Sequence, residues 1–205
     1  MNFLNTTKAT KISDQQRSVI RAMEIVLPIA LFAVMTGASS LVRLPVPGTP
    51  VPITLQSAVV LMSGLFLGPW KGAVSQALYI GLGALGLPFF AAPAALAGPT
   101  GGYILGFVLA AFLTGSLSQK IKDHSGVWNK IKTYGLVLIA SLGIFVPGVL
   151  WLKLLTGQSW SASLAMGFVP FIIGDLIKTA IAVSSYSVAA AAARAAGRIR
   201  KNTVF

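Results

Sequence analysis

The sequence predicts an all-α integral membrane protein, built as a bundle of six transmembrane helices. Of its 205 residues, 55% are hydrophobic and only 10% are charged. A water-soluble domain carries about 25% charged residues, so this composition excludes almost any soluble fold. The hydrophobic residues lie in runs of about 20 residues, which is the length that crosses a bilayer as a helix.

Six apolar runs follow one another along the chain, separated by proline, glycine or charged residues. We predict helical spans over residues 19–41, 53–68, 70–87, 103–117, 133–155 and 164–193. The proline-rich segment 45–52 cannot continue a helix and therefore separates the first two spans. Pro170 and Gly174 lie one turn apart in the last run and predict a kink there. The chain is then organised as an N-terminal arm (1–18), a membrane domain (19–193) and a basic tail (194–205).

The basic residues indicate how the chain lies in the membrane. Thirteen of the 16 lysines and arginines fall in the polar N-terminal segment up to Arg21, the turn after the second span, the loop after the fourth, and the tail. Arg43 and Lys153 fall on the other side, and Lys178 lies inside the last span. The positive-inside rule places both termini in the cytoplasm, where the basic residues contact anionic lipid. They do not form a patch with aromatic residues, so nucleic-acid binding is not expected.

Asp175 and Lys178 are the charged residues within the last apolar run. Each costs about 2.5–3.5 kcal/mol at the centre of a membrane helix, and three residues apart they share one helical face. We interpret them as part of a ligand pocket, in which Asp175 accepts hydrogen bonds from N–H groups and Lys178 donates to oxygen. The alternative is an ion pair that locks this helix against its neighbours.

Other chemical sites have little support in the sequence. With one histidine and no cysteine, neither a metal site nor a cofactor is expected. There is no P-loop in this chain. The run 81–86 has the glycine spacing of a dinucleotide-binding loop, but it lies in a membrane span with no strand before it. We interpret its glycines as sites of close helix packing, as in the pairs Ala77/Gly81 and Gly106/Ala110.

Three blocks of sequence resemble a known family. They are Val-Pro-Ile-Thr-Leu-Gln at 51–56, Gly-Leu-Pro at 86–88 with Gly-Pro-Thr-Gly-Gly-Tyr at 98–103, and Gly-Asp-Leu-Ile-Lys at 174–178. Their order and spacing within six spans resemble BioY, the biotin-binding S-component of energy-coupling-factor (ECF) transporters. The resemblance covers about residues 29–182 and implies a high-affinity biotin pocket near the external face.

The resemblance also implies roles for particular residues. Asp175 and Lys178 match the acid and base that contact the ligand, and we expect Asp175 to accept from the ureido N–H groups and Lys178 to donate to a ligand oxygen. Arg43 lies in a loop that resembles the family's lid, where it is a candidate to meet the biotin carboxylate. Further candidates for the pocket lining are Gln56, Tyr79 and Tyr103.

The family works with a transmembrane scaffold subunit and two cytoplasmic ATPases in the plasma membrane, and this chain is expected to do the same. Family members dock through an Ala-x-x-x-Ala pattern on the first span. The nearest match here is Ala33-x-x-x-Gly37, which departs from that pattern. Two other functions stay open: an S-component for another vitamin, and an integral-membrane enzyme that uses Asp175 and Lys178 as an acid–base pair.

Overall fold

The fold is an all-α bundle with one small strand pair, which confirms the predicted class. The computed structural model describes residues 14–90, 95–121 and 126–202. Within them, the helices are α1 (Asp14–Ser39), α2 (Gln56–Leu67), α3 (Pro69–Ala84), α4 (Gly101–Ser118), α5 (Val127–Thr156), α6 (Trp160–Gly167) and α7 (Ile172–Asn202). The helices α6 and α7 are the two parts of one interrupted run, so the bundle has six members. Strands β1 (Arg43–Leu44) and β2 (Ile53–Thr54) pair antiparallel between α1 and α2, and the sequence analysis did not predict them.

Some sequence predictions fall partly outside the described residues. Most of the N-terminal arm (1–13), the end of the tail (203–205) and the only histidine, His124, lie there. In the described part, α1 begins at Asp14, inside the predicted arm, and α7 runs on through the predicted tail to Asn202. The division into arm, membrane domain and tail stays a prediction.

Four helical segments are long and apolar enough to cross a membrane: Gln15–Ser39, Gly101–Ser118, Val127–Thr156 and Trp160–Ala196. The helices α2 and α3 have only 12 and 16 residues, or about 18 and 24 Å at 1.5 Å per residue. The hydrocarbon core of a bilayer is about 30 Å thick. Four long apolar helices are thus established for the described residues, and the reading of α2 and α3 as complete spans stays a prediction.

The sixth predicted span is broken rather than kinked. The helix α6 ends at Gly167, a single 3-10 turn covers Val169–Phe171, and α7 begins at Ile172. Pro170 lies inside this turn and has no N–H to donate to the preceding turn of helix. Gly174 lies in regular helix within α7, so the helix is interrupted at Pro170, as predicted, and not at Gly174.

Close packing through small residues is confirmed between α4 and α5. A side chain at Gly106 would meet the carbonyl oxygen of Gly143 at 2.6 Å, and Ala110 is fully buried against Gly143. The same interpretation is wrong for the other pair. Ala77 and Gly81 are exposed, and a side chain at Gly81 would meet nothing within 4 Å.

The small-residue pair on α1 faces inward. Ala33 is fully buried, and a side chain at Gly37 would meet the ring of Phe89 at 2.6 Å. These residues pack against the chain itself rather than on its outer surface.

Candidate ligand-binding site

One cavity lies where the starts of α2, α4 and α7 meet the middle of α5. It measures about 640 Å³ when its open mouth is included. The segment 51–54, which contains β2, forms its edge. Its walls are largely apolar, with Ile104, Phe107, Ile144, Phe145 and Phe171 among them. A cavity of this kind suits a small, mostly apolar ligand that a few polar groups hold in place.

Asp175 provides a hydrogen-bond acceptor in this apolar wall. Its side chain is 7% exposed and lines the cavity from the first turn of α7. One carboxyl oxygen, Oδ2, lies 2.6 Å from the hydroxyl of Ser141 on α5. The other, Oδ1, is buried and has no hydrogen-bond partner among the described residues. A buried acceptor without a partner is costly, and a ligand donor placed there removes that cost.

Lys178 lines the same cavity, one turn further along α7. The spacing of the two residues therefore places them on one face, as the sequence predicted. The Oδ1 atom of Asp175 receives no hydrogen bond from Lys178 or from any other described residue. An ion pair between Asp175 and Lys178 therefore does not provide a partner for Oδ1. Both charged side chains border the cavity.

Gln56 lies at the start of α2, also on the cavity wall, and a chain of hydrogen bonds fixes its amide. Its Oε1 accepts from the hydroxyl of Thr54 at 3.3 Å, and its Nε2 donates to the hydroxyl of Tyr79 at 2.6 Å and to the carbonyl of Thr36 at 3.4 Å. Tyr79 is fully buried behind this wall. It reaches the cavity through Gln56 rather than by its own surface.

Tyr103 presents its ring to the cavity from α4. Its hydroxyl donates to the carbonyl of Gly167 at the end of α6, at 2.7 Å. Gly148 on α5 packs against the ring, because a side chain there would lie only 2.3 Å from it. The hydroxyl is therefore already engaged within the protein.

The glycines before Tyr103 explain how α4 comes so close to α5. A side chain at Gly102 would collide with Trp151 at 2.3 Å, and one at Gly101 would collide with the carbonyl oxygen of Leu96 at 2.1 Å. The indole N–H of Trp151 in turn donates to the carbonyl of Gly98 at 2.9 Å. The Gly-Pro-Thr-Gly-Gly-Tyr block thus positions the wall of the cavity that carries Tyr103.

Arg43 lies in β1, directly opposite Thr54 in the register of the two strands. Thr54 lines the cavity, whereas Arg43 is exposed and is not part of the lining. Its backbone therefore lies at the rim of the cavity, on the outer side of the strand pair.

Several cavity residues were not predicted from the sequence. Thr54 and Thr100 lie inside the blocks that carry the family resemblance, so those blocks contained a signal for them. Phe145 and Phe171 are apolar residues within apolar runs, where nothing distinguishes the wall of a cavity from a lipid-facing surface. Ser141 is one serine among many in the chain, and only the folded structure places it beside Asp175.

The opposite end of the bundle is formed by the turn between α2 and α3. There Gly68 has a left-handed backbone, with φ of 79°, and lies next to Gln119 at the end of α4. Lys71 and Lys120 flank these residues in sequence. The cavity thus opens at the end of the bundle away from these basic residues.

Comparison with known proteins identifies the family to which this arrangement belongs. Residues 8–196 match the BioY family. The chain belongs to the BioY family. It is 36% identical over 168 residues to the probable biotin transporter BioY of Pyrococcus horikoshii, covering 80% of this chain and 94% of that relative. It is 39% identical over 141 residues to the biotin transporter BioY of Thermotoga maritima, covering 67% and 79%.

The fold also matches a solved structure. The crystal structure of the S-component for biotin from an ECF-type ABC transporter aligns with a TM-score of 0.73 and 26% identity, over 92% of this chain and 94% of that one. The fold of that S-component is therefore present along nearly the whole chain.

Proposed function

We propose that this chain is the biotin-binding S-component of an ECF transporter, a transport subunit rather than an enzyme. The observation that carries the proposal is the cavity itself, where a buried acceptor without a partner and a lysine border an apolar space. The BioY relatives are named as biotin transporters, so biotin is the proposed ligand. The polar groups of the cavity match it, because biotin has a ureido group with two N–H donors and one oxygen.

The proposed roles follow from this geometry. Oδ1 of Asp175 accepts a ureido N–H, and Lys178 donates to a ligand oxygen. Gln56 and the ring of Tyr103 line the cavity, and Tyr79 contributes by holding the Gln56 amide. The carboxylate of the ligand extends toward the rim, where Arg43 lies opposite Thr54.

We further propose that the chain crosses the plasma membrane six times, with both termini in the cytoplasm. The bias of its basic residues supports this orientation. It places the cavity at the external end of the bundle, open to biotin outside the cell. A transmembrane scaffold subunit and two cytoplasmic ATPases are the proposed partners, since this chain has no P-loop. Reporter fusions at each terminus test the orientation, and co-purification with the ATPases tests the assembly.

Isothermal titration of the detergent-purified chain tests the ligand. We expect tight, one-to-one binding of biotin and none of thiamine or riboflavin. Well-folded protein that binds another vitamin instead would contradict the biotin assignment. The variants Asp175→Asn and Lys178→Met then test the site: each is expected to lose most of the binding while remaining folded and membrane-inserted. If both bind normally, the pair is structural.

A further inference from the structure

Ser141 on α5 is the described residue that holds the carboxyl group of Asp175 in place. Its side chain is 1% exposed, and its hydroxyl oxygen lies 2.6 Å from Oδ2 of Asp175. We infer that Ser141 is a positioning residue for ligand binding: by engaging Oδ2, it leaves Oδ1 as the atom that accepts a ligand N–H. The inference rests on the proposed function, because the donor that reaches Oδ1 is taken to be a ureido N–H of biotin.

Counting hydrogens around Ser141 shows that this assignment holds for the ionised carboxylate and for the acid protonated on Oδ2. The hydroxyl oxygen of Ser141 also lies 2.8 Å from the carbonyl oxygen of Leu138, and a hydroxyl has one hydrogen to donate. If Asp175 is ionised, that hydrogen points to Oδ2. If Asp175 carries a proton on Oδ2, the carboxyl donates to Ser141, which donates to Leu138. In both cases Oδ1 has no hydrogen and is an acceptor.

Without Ser141 the two carboxyl oxygens become equivalent. The terminal torsion of an aspartate is broad and roughly two-fold, so the carboxyl group of Asp175 then turns readily. Lys178 lines the cavity one turn away and is within reach of a turned carboxyl. A closed Asp175–Lys178 pair then competes with the ligand. Ser141 prevents this competition by keeping the carboxyl pre-organised, which lowers the cost of binding.

The test compares Ser141→Ala with Ser187→Ala. Ser187 is a matched control because it is 5% exposed, lies on the same helix as Asp175 and has a hydroxyl with no partner among the described residues. Each variant is titrated with biotin and with the two biotin derivatives that carry a methyl group on one or the other ureido nitrogen. Circular dichroism and size-exclusion chromatography establish that each variant is folded.

We expect Ser141→Ala to bind biotin about tenfold more weakly, the effect of one lost hydrogen bond in a buried site. The derivative methylated on the nitrogen that faces Asp175 is expected to lose much less affinity on the Ser141→Ala substitution. The preference of the protein for biotin over this derivative therefore shrinks about tenfold as well. Ser187→Ala should match the wild type for all three ligands.

Two results would overturn the inference. One is a Ser141→Ala variant that binds as the wild type does. The other is a variant that loses affinity for all three ligands by the same factor, which is the behaviour of a residue that only supports packing. A wild-type chain that binds no biotin overturns the proposed function and this inference with it. If the wild type binds biotin and Ser141→Ala binds it equally well, only the inference about Ser141 is overturned.

Discussion

Gly148 offers a direct way to perturb the cavity from outside it. A side chain at this position would lie 2.3 Å from Cδ1 and 2.4 Å from Cε1 of Tyr103. The ring has little freedom to retreat, because Tyr103 is 7% exposed and its hydroxyl is bound to the carbonyl of Gly167. In Gly148→Ala the ring must therefore shift toward the cavity, or α4 and α5 must separate.

The size of the effect follows from these distances. Ordinary van der Waals contact begins at 3.4 Å, so the ring has to move by about 1 Å. Adding a methyl group to a packed core costs about 1–3 kcal/mol. Because Tyr103 lines the cavity, we expect part of this cost to appear as weaker ligand binding. We expect the affinity for biotin to fall about tenfold, equivalent to about 1.4 kcal/mol, and the melting temperature to fall as well.

Titration with biotin and thermal unfolding in detergent measure the two effects. Gly135→Ala is the control, because Gly135 lies on the same helix and a side chain there would meet nothing within 4 Å. It is expected to bind normally and to gain stability, by up to about 1 kcal/mol, from better helix propensity. If Gly148→Ala binds as tightly as Gly135→Ala and melts at the same temperature, the proposed fit between Gly148 and the Tyr103 ring is refuted.

Three further substitutions test other parts of the structure. Tyr103→Phe removes the bond to the Gly167 carbonyl, so thermal unfolding should show a loss of about 1 kcal/mol and an unchanged melting curve would contradict that bond. Arg43→Gln should weaken the binding of biotin but not of biotinamide, which has no carboxylate, and equal losses in the two titrations would contradict the rim role. Gln76→Leu leaves the buried hydroxyl of Ser63 without its donor, so stability should fall by about 1 kcal/mol while biotin affinity is kept. A Gln76→Leu variant as stable as the wild type would contradict a stabilising role for this bond.

The parts of the fold that the sequence predicted are those that hydropathy determines. The helices α4 and α5 match the predicted spans to within a few residues at most ends, because long apolar runs admit few alternatives in a membrane. Packing was predicted correctly at Gly106 and wrongly at Gly81, although both belong to small-residue pairs at four-residue spacing. Such a pair indicates that close approach is allowed. It does not indicate which helix face meets a neighbour.

A similar limit applies to the cavity. Asp175 and Lys178 could be singled out because charge is costly within a membrane span, so each of them requires a reason to be there. Phe145 carries no such cost and gave no signal. Ser141 gave none either, because a serine in a membrane helix can satisfy its hydroxyl with the backbone of the preceding turn, and its role depends on a residue 34 positions away.

The break between α6 and α7 connects the fold to the site. Irregular backbone is tolerated at membrane depth where it lines a cavity or is buried in protein, and the 3-10 turn meets this condition because Phe171 forms part of the cavity wall. The same break places Asp175 in the first turn of α7, near the positive end of the dipole of this helix, which favours a negative charge. In a continuous helix Asp175 would lie mid-span without that field. Pro170, for which the sequence predicted a kink, thus helps to make a buried carboxyl group tolerable at the position where the ligand is proposed to need it.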